Sequence, residues 1–482
     1  MNKLQLSRRH LLQAGAAGVG ALTLPGFAAE AAAPDVLILG AGISGLHAAR
    51  MLQSAGLKAT VLEASGRVGG RCWTERKVPG RPEMGALQIG ASYGRVRAHA
   101  AELGVALHAE KPGAGSQTSQ AGMAMSVSGQ LMALKDWTGA SVNRLAEHER
   151  KLLPAQLFLH YLNGVKPPLA DLSDWLKPEF AHYDKLSLRQ LFTAQGASPE
   201  ALRLLDLHLT ARNLDEANSL DTMRKFLFYA LEARQGQSHL VRDGMSSLTD
   251  AMAASLTQPV QLNKVVKRIA ASDKQVVVSC ADGSRHQARA CISTIPLPVF
   301  KDIAVDGQVP APQREAWASI PYGQVVIVSL RVLRPFWQDD GLPPSLWTDT
   351  LVERAFFTEP AGERHGMLSV FINGEAAIGL QGQSAQAVGA QVLRELARIR
   401  PSTAGAVEVV NVHDWAAQPF QRGHLMSFAP GQIGRFMPYM AQPVGALYFA
   451  GEHCARLNAG LESACEAAEN AVVRMLDDLD RG

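Results

Sequence analysis

The sequence predicts an α/β fold built on a Rossmann-like nucleotide-binding domain. After its first residue, Asp35, the segment 35–39 is a continuous apolar run of the kind expected of a strand buried on both faces. A glycine-rich turn follows at once, then a helical pattern, then a second strand at 59–63 that ends in an acid. The chain of 482 residues is 47% hydrophobic and 19% charged, which is typical of globular domains and excludes a largely disordered protein.

The turn after the first strand has the residues that a pyrophosphate site requires. Gly40 permits a tight turn, Gly42 lets backbone N–H groups approach the phosphates, and Gly45 lets the helix pack closely on the strand. Ser44 lies in the same loop, at a helix N-terminus that favours negative charge. Glu63 is placed to accept hydrogen bonds from a ribose diol. These features predict a bound dinucleotide, but they do not distinguish FAD from NAD.

The segment that follows Glu63 is rich in glycine and arginine, with the sequence EASGRVGGR. It resembles the second fingerprint of the flavin-containing amine oxidases, a family of monoamine, polyamine and L-amino-acid oxidases. The resemblance implies that FAD is the cofactor, and that Ala64, Arg67, Gly70 and Arg71 surround its diphosphate. The residue types agree, because glycine allows close backbone approach and arginine forms charge-assisted hydrogen bonds to phosphate.

Later motifs repeat this resemblance in the family's order along nearly all of the chain. Val266 resembles a strand residue whose backbone contacts the adenine side of FAD. Glu452, in the run 447–453, resembles the acid that holds the ribityl or diphosphate segment. Leu461 begins the last helix, whose N-terminus is implied to stabilise negative charge on the reduced flavin ring. Further motifs of the same kind lie at 84–87, 242–248, 293–296 and 414–415.

The positions of these motifs divide the chain into a discontinuous, GR2-type FAD-binding domain and an inserted α+β substrate domain. The FAD-binding domain is expected at 34–92, 236–300 and 405–482, and the substrate domain at 93–235 and 301–404. Within the substrate domain, helices are expected at 142–153, 201–209 and 384–399, and strands at 324–330, 351–358 and 367–372. Ser384 is the expected N-cap of its helix, and the strands are expected to form an antiparallel sheet under the flavin.

The N-terminal residues 1–31 are expected to be a signal peptide. Arg8 and Arg9 precede a mild apolar run at 14–29, which is typical of a twin-arginine export signal, and Pro25 argues against a membrane anchor. We therefore expect a periplasmic protein. No later stretch is apolar enough for a membrane span. The net charge of +3 is too small to indicate binding to nucleic acid.

The cysteines do not suggest a metal site or a set of disulfides. Their number is odd, and no pair has the spacing of a zinc or redox motif. We expect no bound metal and five buried thiols, at Cys72, Cys280, Cys291, Cys454 and Cys465.

The substrate pocket is where the sequence departs from the family. Monoamine oxidases place two aromatic residues as a cage facing the flavin. Alignment through Trp415 and Gly423 puts Leu425 at the first of these positions, and counting from Glu452 without a gap puts Gly460 at the second. L-amino-acid oxidases carry an arginine that binds the substrate carboxylate, and here the matching residue is Gln88, whose neutral amide cannot replace a guanidinium. The resemblance thus implies an open aliphatic pocket for an uncharged or bulky amine, lined by Gln88, Trp415, Leu425 and Gly460.

Three further positions bear on the chemistry. Ile327 stands where many family members have a lysine that holds a water at flavin N5, which argues against fast reaction with O2 and leaves a periplasmic cytochrome or quinone as an alternative acceptor. His424 matches the cysteine that attaches FAD covalently in monoamine oxidases; we expect noncovalent FAD, with His424 a polar residue at the ring edge. Arg456 or Arg422 is a candidate replacement for the missing carboxylate-binding arginine.

The resemblance implies FAD-dependent oxidation of an amine, in which a hydride from the α-carbon passes to flavin N5 and the imine is hydrolysed to a carbonyl product. No catalytic acid or base is identified. The alternatives are an L-amino-acid oxidase with an altered carboxylate site, a desaturase or isomerase of the same superfamily, and a non-enzymatic FAD-binding redox protein. The partners expected are a small amine and O2 or another electron acceptor; a homodimer is left open.

Overall fold

The computed structural model describes residues 34–109, 122–358 and 366–481, so the predicted signal peptide at 1–31 lies outside the described residues. The strands are β1 (Val36–Leu39), β2 (Ala59–Leu62), β3 (Leu107–Ala109), β4 (Met123–Val127), β5 (Gln130–Ala133), β6 (His239–Val241), β7 (Val266–Ala271), β8 (Val276–Cys280), β9 (Arg285–Ala288), β10 (Ala290–Ser293), β11 (Ala304–Asp306), β12 (Val325–Val332), β13 (Ser345–Thr348), β14 (Arg354–Thr358), β15 (Met367–Asn373), β16 (Val407–Asp414) and β17 (Leu447–Phe449).

Helices separate and cover these strands. They are α1 (Ile43–Ser54), α2 (Gly94–Glu102), α3 (Pro154–Asn163), α4 (Ala181–Asp184), α5 (Leu188–Ala194), α6 (Pro199–Leu205), α7 (Ser219–Gln235), α8 (Met245–Ala254), α9 (Leu297–Phe300), α10 (Ala311–Ser319), α11 (Trp337–Asp340), α12 (Gly374–Ile378), α13 (Ala385–Ile399), α14 (Ile433–Met440) and α15 (Gly460–Arg481).

A parallel sheet with the order β17-β10-β1-β2 forms the centre of the nucleotide-binding part in the described residues. The side chains of β1 are fully buried, as a strand covered on both faces requires. Helices α1 and α15 pack against each other and against this sheet. The strands come from three separate segments of the chain, so the Rossmann-like fold is confirmed and its sheet is discontinuous in sequence.

A seven-stranded sheet with the order β16-β12-β15-β14-β13-β4-β5 forms the second large layer of the described chain. Its strands are antiparallel except where β13 runs parallel to β4. Alternation along β12 separates two environments. Val326 and Val328 belong to the core that includes Val392 of α13, whereas Val325 and Ile327 belong to a cluster on the opposite face. That opposite face is directed toward the nucleotide-binding part.

The strand pairing differs from the predicted division at three places. β16, expected in the FAD-binding domain, pairs with β12 in the seven-stranded sheet. β4 and β5, in a stretch expected to be mostly helical, join the same sheet. β11, expected in the substrate domain, pairs with β7. Hydrophobic pattern alone does not specify which sheet a short strand joins, because that choice depends on long-range pairing.

The helix predictions had mixed outcomes. The helix predicted at 142–153 is wrong: the segment consists of turns, because the side chains of Asn143 and Glu149 hydrogen-bond to nearby backbone groups instead. The helix expected at 201–209 is α6, which starts and ends earlier. The helix expected at 384–399 is confirmed as α13, and the Ser384 hydroxyl caps it by accepting from the Ala387 N–H at 3.2 Å.

Two further sequence expectations can be compared with the structure. All five cysteines are free and buried, as predicted, and burial raises the pKa of Cys72 to about 12. Within residues 34–109, 122–358 and 366–481, every helix is too short or too polar to cross a bilayer.

Candidate active site

The first glycine loop joins the carboxyl end of β1 to the N-terminus of α1. A β-carbon on Gly45 would lie 2.0 Å from the carbonyl oxygen of Gly40, so only glycine allows this helix to approach the loop so closely. A β-carbon on Gly42, in contrast, would meet no protein atom within 4 Å. The loop is therefore closed on its protein side and accessible at Gly42, which is the side from which a pyrophosphate would approach.

Ser44 lies in the first turn of α1, which has Gly42 as its N-cap and no side-chain cap. The Ser44 hydroxyl is buried and has no hydrogen-bond partner among the described residues. A helix N-terminus carries free N–H groups and a partial positive charge. A phosphate group of a dinucleotide satisfies both the hydroxyl and these N–H groups, so the loop fits the cofactor predicted for it.

The second glycine loop is in direct backbone contact with the first. The Gly69 N–H donates to the Ala41 carbonyl at 2.8 Å, and Gly69 and Gly42 form a parallel β-bridge. A β-carbon on Gly70 would lie 3.3 Å from the α-carbon of Gly42. The two fingerprints therefore form one continuous backbone surface, and a side chain on the Gly69–Gly70 side of the contact would be crowded by the Cys72 carbonyl and by Gly42.

Glu63, at the end of β2, is buried and links these loops. Its carboxylate accepts hydrogen bonds from the Ala41 N–H at 2.7 Å and from the Ser65 N–H at 2.9 Å. The half-buried Ala64 follows it. The Glu63 carbonyl accepts from the Lys264 N–H at 2.8 Å, which brings the start of β7, Val266, next to the second fingerprint. Glu63, Ala64 and Val266 thus adjoin one another as the sequence predicts for the adenosine side.

The two fingerprint arginines have different surroundings. Arg67 curls over its own loop, donating to the carbonyls of Val68 and Gly70 at 3.1 and 2.7 Å, and its guanidinium stacks 4.1 Å from the ring centroid of Trp73. Arg71 reaches to the C-terminal motif, where it pairs with Glu452 at 3.1 Å.

The Arg71–Glu452 pair joins segments that are 381 residues apart. Burial by itself raises the pKa of Glu452, but Arg71, His453 and the Met426 N–H outweigh it and leave that pKa below its usual value. Arg71 also donates to the His424 carbonyl at 2.5 Å. An anionic Glu452 and a cationic Arg71 therefore lie together where the sequence predicts the ribityl and diphosphate groups.

Trp415 is fully enclosed by protein. Its indole N–H donates to the Met84 carbonyl at 2.6 Å, and its ring contacts His413 at a centroid distance of 4.4 Å. Ile327 belongs to the same apolar cluster. A β-carbon on Gly85 would lie 1.9 Å from the Arg71 carbonyl and 3.1 Å from the Trp415 ring. Trp415 thus packs behind the fingerprint loop as structural support, instead of lining an open pocket as expected.

Two other predicted pocket residues, Leu425 and Gln88, and the predicted cofactor-binding Leu461 are all half-buried. The Leu425 carbonyl accepts from the Gly323 N–H at 2.8 Å. Gln88 lies on the segment that leads from Met84 to Ile89. Leu461 lies in the first turn of α15.

Gly460 has no room for a side chain. Its φ is +61°, and a β-carbon there would lie 2.4 Å from the Tyr93 hydroxyl oxygen. Tyr93 in turn contacts Phe228 at a centroid distance of 5.9 Å, and Phe228 contacts Tyr229 at 5.5 Å. Tyr93, the N-cap residue of α2, therefore occupies the space that a side chain at position 460 would need, and Phe228 of α7 packs against its ring.

Tyr229 is the residue of this group that sequence reasoning missed most clearly. The Tyr229 residue as a whole is 44% exposed. Burial nevertheless raises the pKa of its hydroxyl, and Glu232 and Glu452 act in the same direction, whereas Arg224 lowers that pKa. The ring of Tyr229 extends the aromatic contacts of Tyr93 and Phe228 toward the protein surface. Its only sequence signal is an aromatic cluster in the amphipathic pattern of α7, which indicates core packing as readily as a pocket.

The three remaining sequence candidates are also located. Burial and Arg71 lower the pKa of His424 to about 4, and its buried Nδ1 has no partner in the described chain. Arg456 is exposed. Arg422 is exposed and forms an ion pair with Asp302. Neither arginine is positioned beside the Arg71–Glu452 pair, so neither restores the carboxylate-binding residue that Gln88 replaces.

Two glycine loops in contact, an uncapped helix N-terminus with an unpartnered serine and a buried Arg–Glu pair define the site of an FAD-dependent oxidoreductase. A model of the family described as flavin containing amine oxidoreductase matches residues 43–476. The chain belongs to that family.

Relatives and solved structures agree with this assignment. An L-amino-acid oxidase from Siganus canaliculatus is 26% identical over 461 residues, which cover 91% of this chain and 85% of that protein. A flavin-containing amine oxidase from Danio rerio is 24% identical over 463 residues, which cover 91% of this chain and 84% of that protein. Cyclohexylamine oxidase from Brevibacterium oxydans IH-35A shares the fold with a TM-score of 0.76 at 21% identity, covering 93% of this chain and all (100%) of that chain. The structure of wild-type putrescine oxidase bound to putrescine shares the fold with a TM-score of 0.74 at 22% identity. The match covers 92% of this chain and 99% of that chain.

Proposed function

We propose that this chain oxidises an amine that has no carboxylate on its reacting carbon, using noncovalently bound FAD. The observation that carries the proposal is the composition of the site around Gly460. Leu425 and Gly460 supply no aromatic cage, Gln88 supplies no guanidinium, and Tyr93 fills the space beside Gly460. A wall of this kind favours apolar groups at the reacting carbon and offers nothing to pair with an α-carboxylate.

Bound FAD supplies a two-electron acceptor for the hydride that leaves the amine's α-carbon. The amine also loses an N–H proton, and water hydrolyses the imine to a carbonyl compound and ammonia or a smaller amine. The chain holds the cofactor through Ser44, the Gly42–Gly70 backbone surface and Arg71 paired with Glu452. Burial keeps His424 and His453 neutral, with pKa values of about 4, so these two imidazoles add no positive charge that would repel an ammonium substrate.

The dipole of α15 supports the same reaction. Its N-terminus begins at Gly460, adjacent to the predicted pocket, and Glu462 is occupied in binding the backbone N–H and guanidinium of Arg95. The helix end therefore retains its partial positive charge toward the site, where negative charge develops when FAD accepts a hydride. This is an electrostatic contribution that needs no acid or base from the protein.

The test is anaerobic mixing of the FAD-loaded protein with a panel of amines and L-amino acids, with flavin absorbance as the readout. Primary alkyl and cycloalkyl amines should bleach the flavin, and L-α-amino acids of matched side chain should bleach it at least ten times more slowly, because an unpaired buried carboxylate costs several kcal/mol, on the order of a hundred-fold or more. Faster bleaching by the α-amino acids would support an L-amino-acid oxidase instead, and no bleaching by either class would support the desaturase, isomerase or non-enzymatic alternatives.

We also propose that the protein is exported to the periplasm in its folded state. The proposal rests on Arg8 and Arg9 ahead of the apolar run at 14–29. Changing both arginines to lysine should leave the protein in the cytoplasm, whereas the matched change of Lys3 to arginine should not alter export. Unchanged periplasmic amounts of the double-lysine variant would contradict the twin-arginine assignment.

A further inference from the structure

One row of residues crosses the seven-stranded sheet from the flavin-binding part outward. Ile327 of β12 pairs with Phe371 of β15, Phe371 pairs with Arg354 of β14, and Arg354 pairs with Trp347 of β13. Residues paired directly across antiparallel strands project from the same face of a sheet. Arg354 therefore lies on the same face as Ile327, two strands away, which corresponds to about 10 Å.

The surroundings of Arg354 on this face are aromatic. Its guanidinium carbon is 5.8 Å from the ring centroid of Phe356, which contacts Phe371 at 5.7 Å. Trp347, its neighbour on β13, contacts His208 at 4.8 Å. Burial lowers the pKa of Arg354, an effect that the adjacent Glu353 only partly offsets. The cation is therefore held in an environment that penalises its charge.

Arg354 also lacks the partners that other arginines of this chain have. Its Nε is buried and has no hydrogen-bond partner among the described residues, a property it shares with Arg50, Arg224 and Arg331. Each of those three forms an ion pair with a carboxylate. Arg354 forms no ion pair with any residue of 34–109, 122–358 or 366–481. Arg354 is half-buried with a buried Nε, and a partly desolvated guanidinium without an anion is costly unless something else supplies one.

The nearest acid does not fill this role because it is already engaged. The Glu353 carboxylate accepts from the Asn373 N–H and from the Asn373 side-chain amide, both at 2.9 Å, and lies 3.5 Å from the His208 Nδ1. These contacts fix Glu353 at the end of β15. The guanidinium of Arg354 thus remains available on the face of the sheet that carries Ile327.

We propose that Arg354 binds an anionic group of the substrate, so that the amine oxidised here carries a carboxylate separated from its reacting carbon by several bonds. The inference rests on the proposed amine oxidation and narrows it. It departs from the uncharged substrate expected from sequence, and it is distinct from α-carboxylate recognition because Arg354 lies two strands from Ile327. Apolar residues at the reacting end and one cation at the far end select an ω-amino acid over an alkylamine of equal length.

A first experiment tests anion binding without turnover. The FAD-loaded protein is titrated with pentanoate, and the perturbation of the flavin absorbance spectrum is recorded. Wild type should bind, Arg354→Gln should bind roughly 30-fold or more weakly, and Arg354→Lys should recover part of the affinity, because the charge is retained without the bidentate geometry. Arg331→Gln, the matched change in a surface ion pair on the same sheet, should bind as wild type does.

A second experiment separates this inference from the proposed function. Anaerobic flavin reduction is measured with 6-aminohexanoate and with hexylamine. Arg354→Gln should slow reduction by 6-aminohexanoate at low concentration and leave reduction by hexylamine unchanged. Equal effects on both amines, or equal pentanoate affinity in wild type and Arg354→Gln, would overturn the role of Arg354. If neither amine reduces the flavin of the wild-type protein while pentanoate binding still depends on Arg354, the proposed amine oxidation is contradicted and the proposed anion site at Arg354 is supported.

Discussion

The hydroxyl of Tyr93 occupies the space that a side chain on Gly460 would need. A β-carbon at residue 460 would lie 2.4 Å from the Tyr93 oxygen, and the backbone there has a φ of +61°, which disfavours any other residue. The backbone conformation and the packing of Tyr93 therefore both require glycine at residue 460. The glycine does more than remove an aromatic cage side chain. The ring of Tyr93 is itself packed against Phe228 at a centroid distance of 5.9 Å.

This relationship predicts the behaviour of a pair of variants. Gly460→Ala should lower the thermal unfolding midpoint and the FAD content, because the new methyl group meets the Tyr93 hydroxyl. Adding Tyr93→Phe to Gly460→Ala should recover part of the loss, and leave about 1 kcal/mol from the positive φ. Differential scanning calorimetry on matched holoproteins would measure both effects. Strictly additive losses in the double variant would show that the two residues do not interact.

Two glycines of the first loop should respond differently to the same change. Gly42→Leu should give a folded, colourless protein, because its side chain meets no protein atom near the β-carbon but blocks the pyrophosphate. Gly45→Leu should fail to fold, because its β-carbon would lie 2.0 Å from the Gly40 carbonyl oxygen. The comparison is made by circular dichroism and flavin absorbance against wild type stripped of FAD. A yellow Gly42→Leu protein would argue against this pyrophosphate site.

The sequence predicted best those parts of the site whose residues lie close together along the chain. β1, the first glycine loop, α1 and β2 followed from local pattern, because each needs residues within a span that a motif can specify. Trp415 was expected to line the substrate pocket, and neither its complete burial nor its hydrogen bond to the Met84 carbonyl was foreseen. Sequence spacing places a residue near a site without indicating which way its side chain points.

The remaining misses concern contacts between distant segments. Tyr93 fills the position beside Gly460 from a helix start that carries no motif, and Arg354 reaches the face of Ile327 only through the pairing of three strands. A single sequence does not predict either contact, because both depend on how distant segments of the chain pack and pair. The helix wrongly expected at 142–153 was lost to side-chain hydrogen bonds of Asn143 and Glu149, which hydrophobic periodicity does not register.

The Arg71–Glu452 pair should give a defined pH dependence. The folded-state pKa of Glu452 lies below its usual value, so its stabilising contribution is present above the unfolded-state pKa and is lost as pH falls through the folded-state pKa. In the FAD-free protein, Glu452→Gln removes the carboxylate that the half-buried Arg71 pairs with and should cost about 2 kcal/mol near neutral pH. The difference between the two proteins in urea-unfolding free energy should shrink as pH falls. A difference that is constant down to strong acid would contradict an ionised Glu452.

Reoxidation should be slow with O2 relative to an artificial one-electron acceptor. Ile327 is fully buried between Met84 and Trp415 and offers neither the charge nor the bound water of the family's lysine. Stopped-flow mixing of the amine-reduced protein with oxygen measures the step directly. Ile327→Met, a change of similar volume, should leave the rate unaltered. Reoxidation by O2 as fast as catalytic turnover would show that the isoleucine is no handicap and that the protein is an ordinary oxidase.

The most direct measurement of the central claim is the rate of flavin reduction in anaerobic stopped flow, with amines and L-α-amino acids of matched carbon skeleton. A site with no aromatic side chain at residues 425 and 460, and with Gln88 in place of an arginine, predicts complete reduction by an amine with no carboxylate on its reacting carbon, at a rate that saturates with concentration. It also predicts reduction at least ten times slower by the α-amino acid, on the order of the unpaired-carboxylate cost. Faster reduction by the α-amino acid, or a flavin that no amine reduces, would contradict the account.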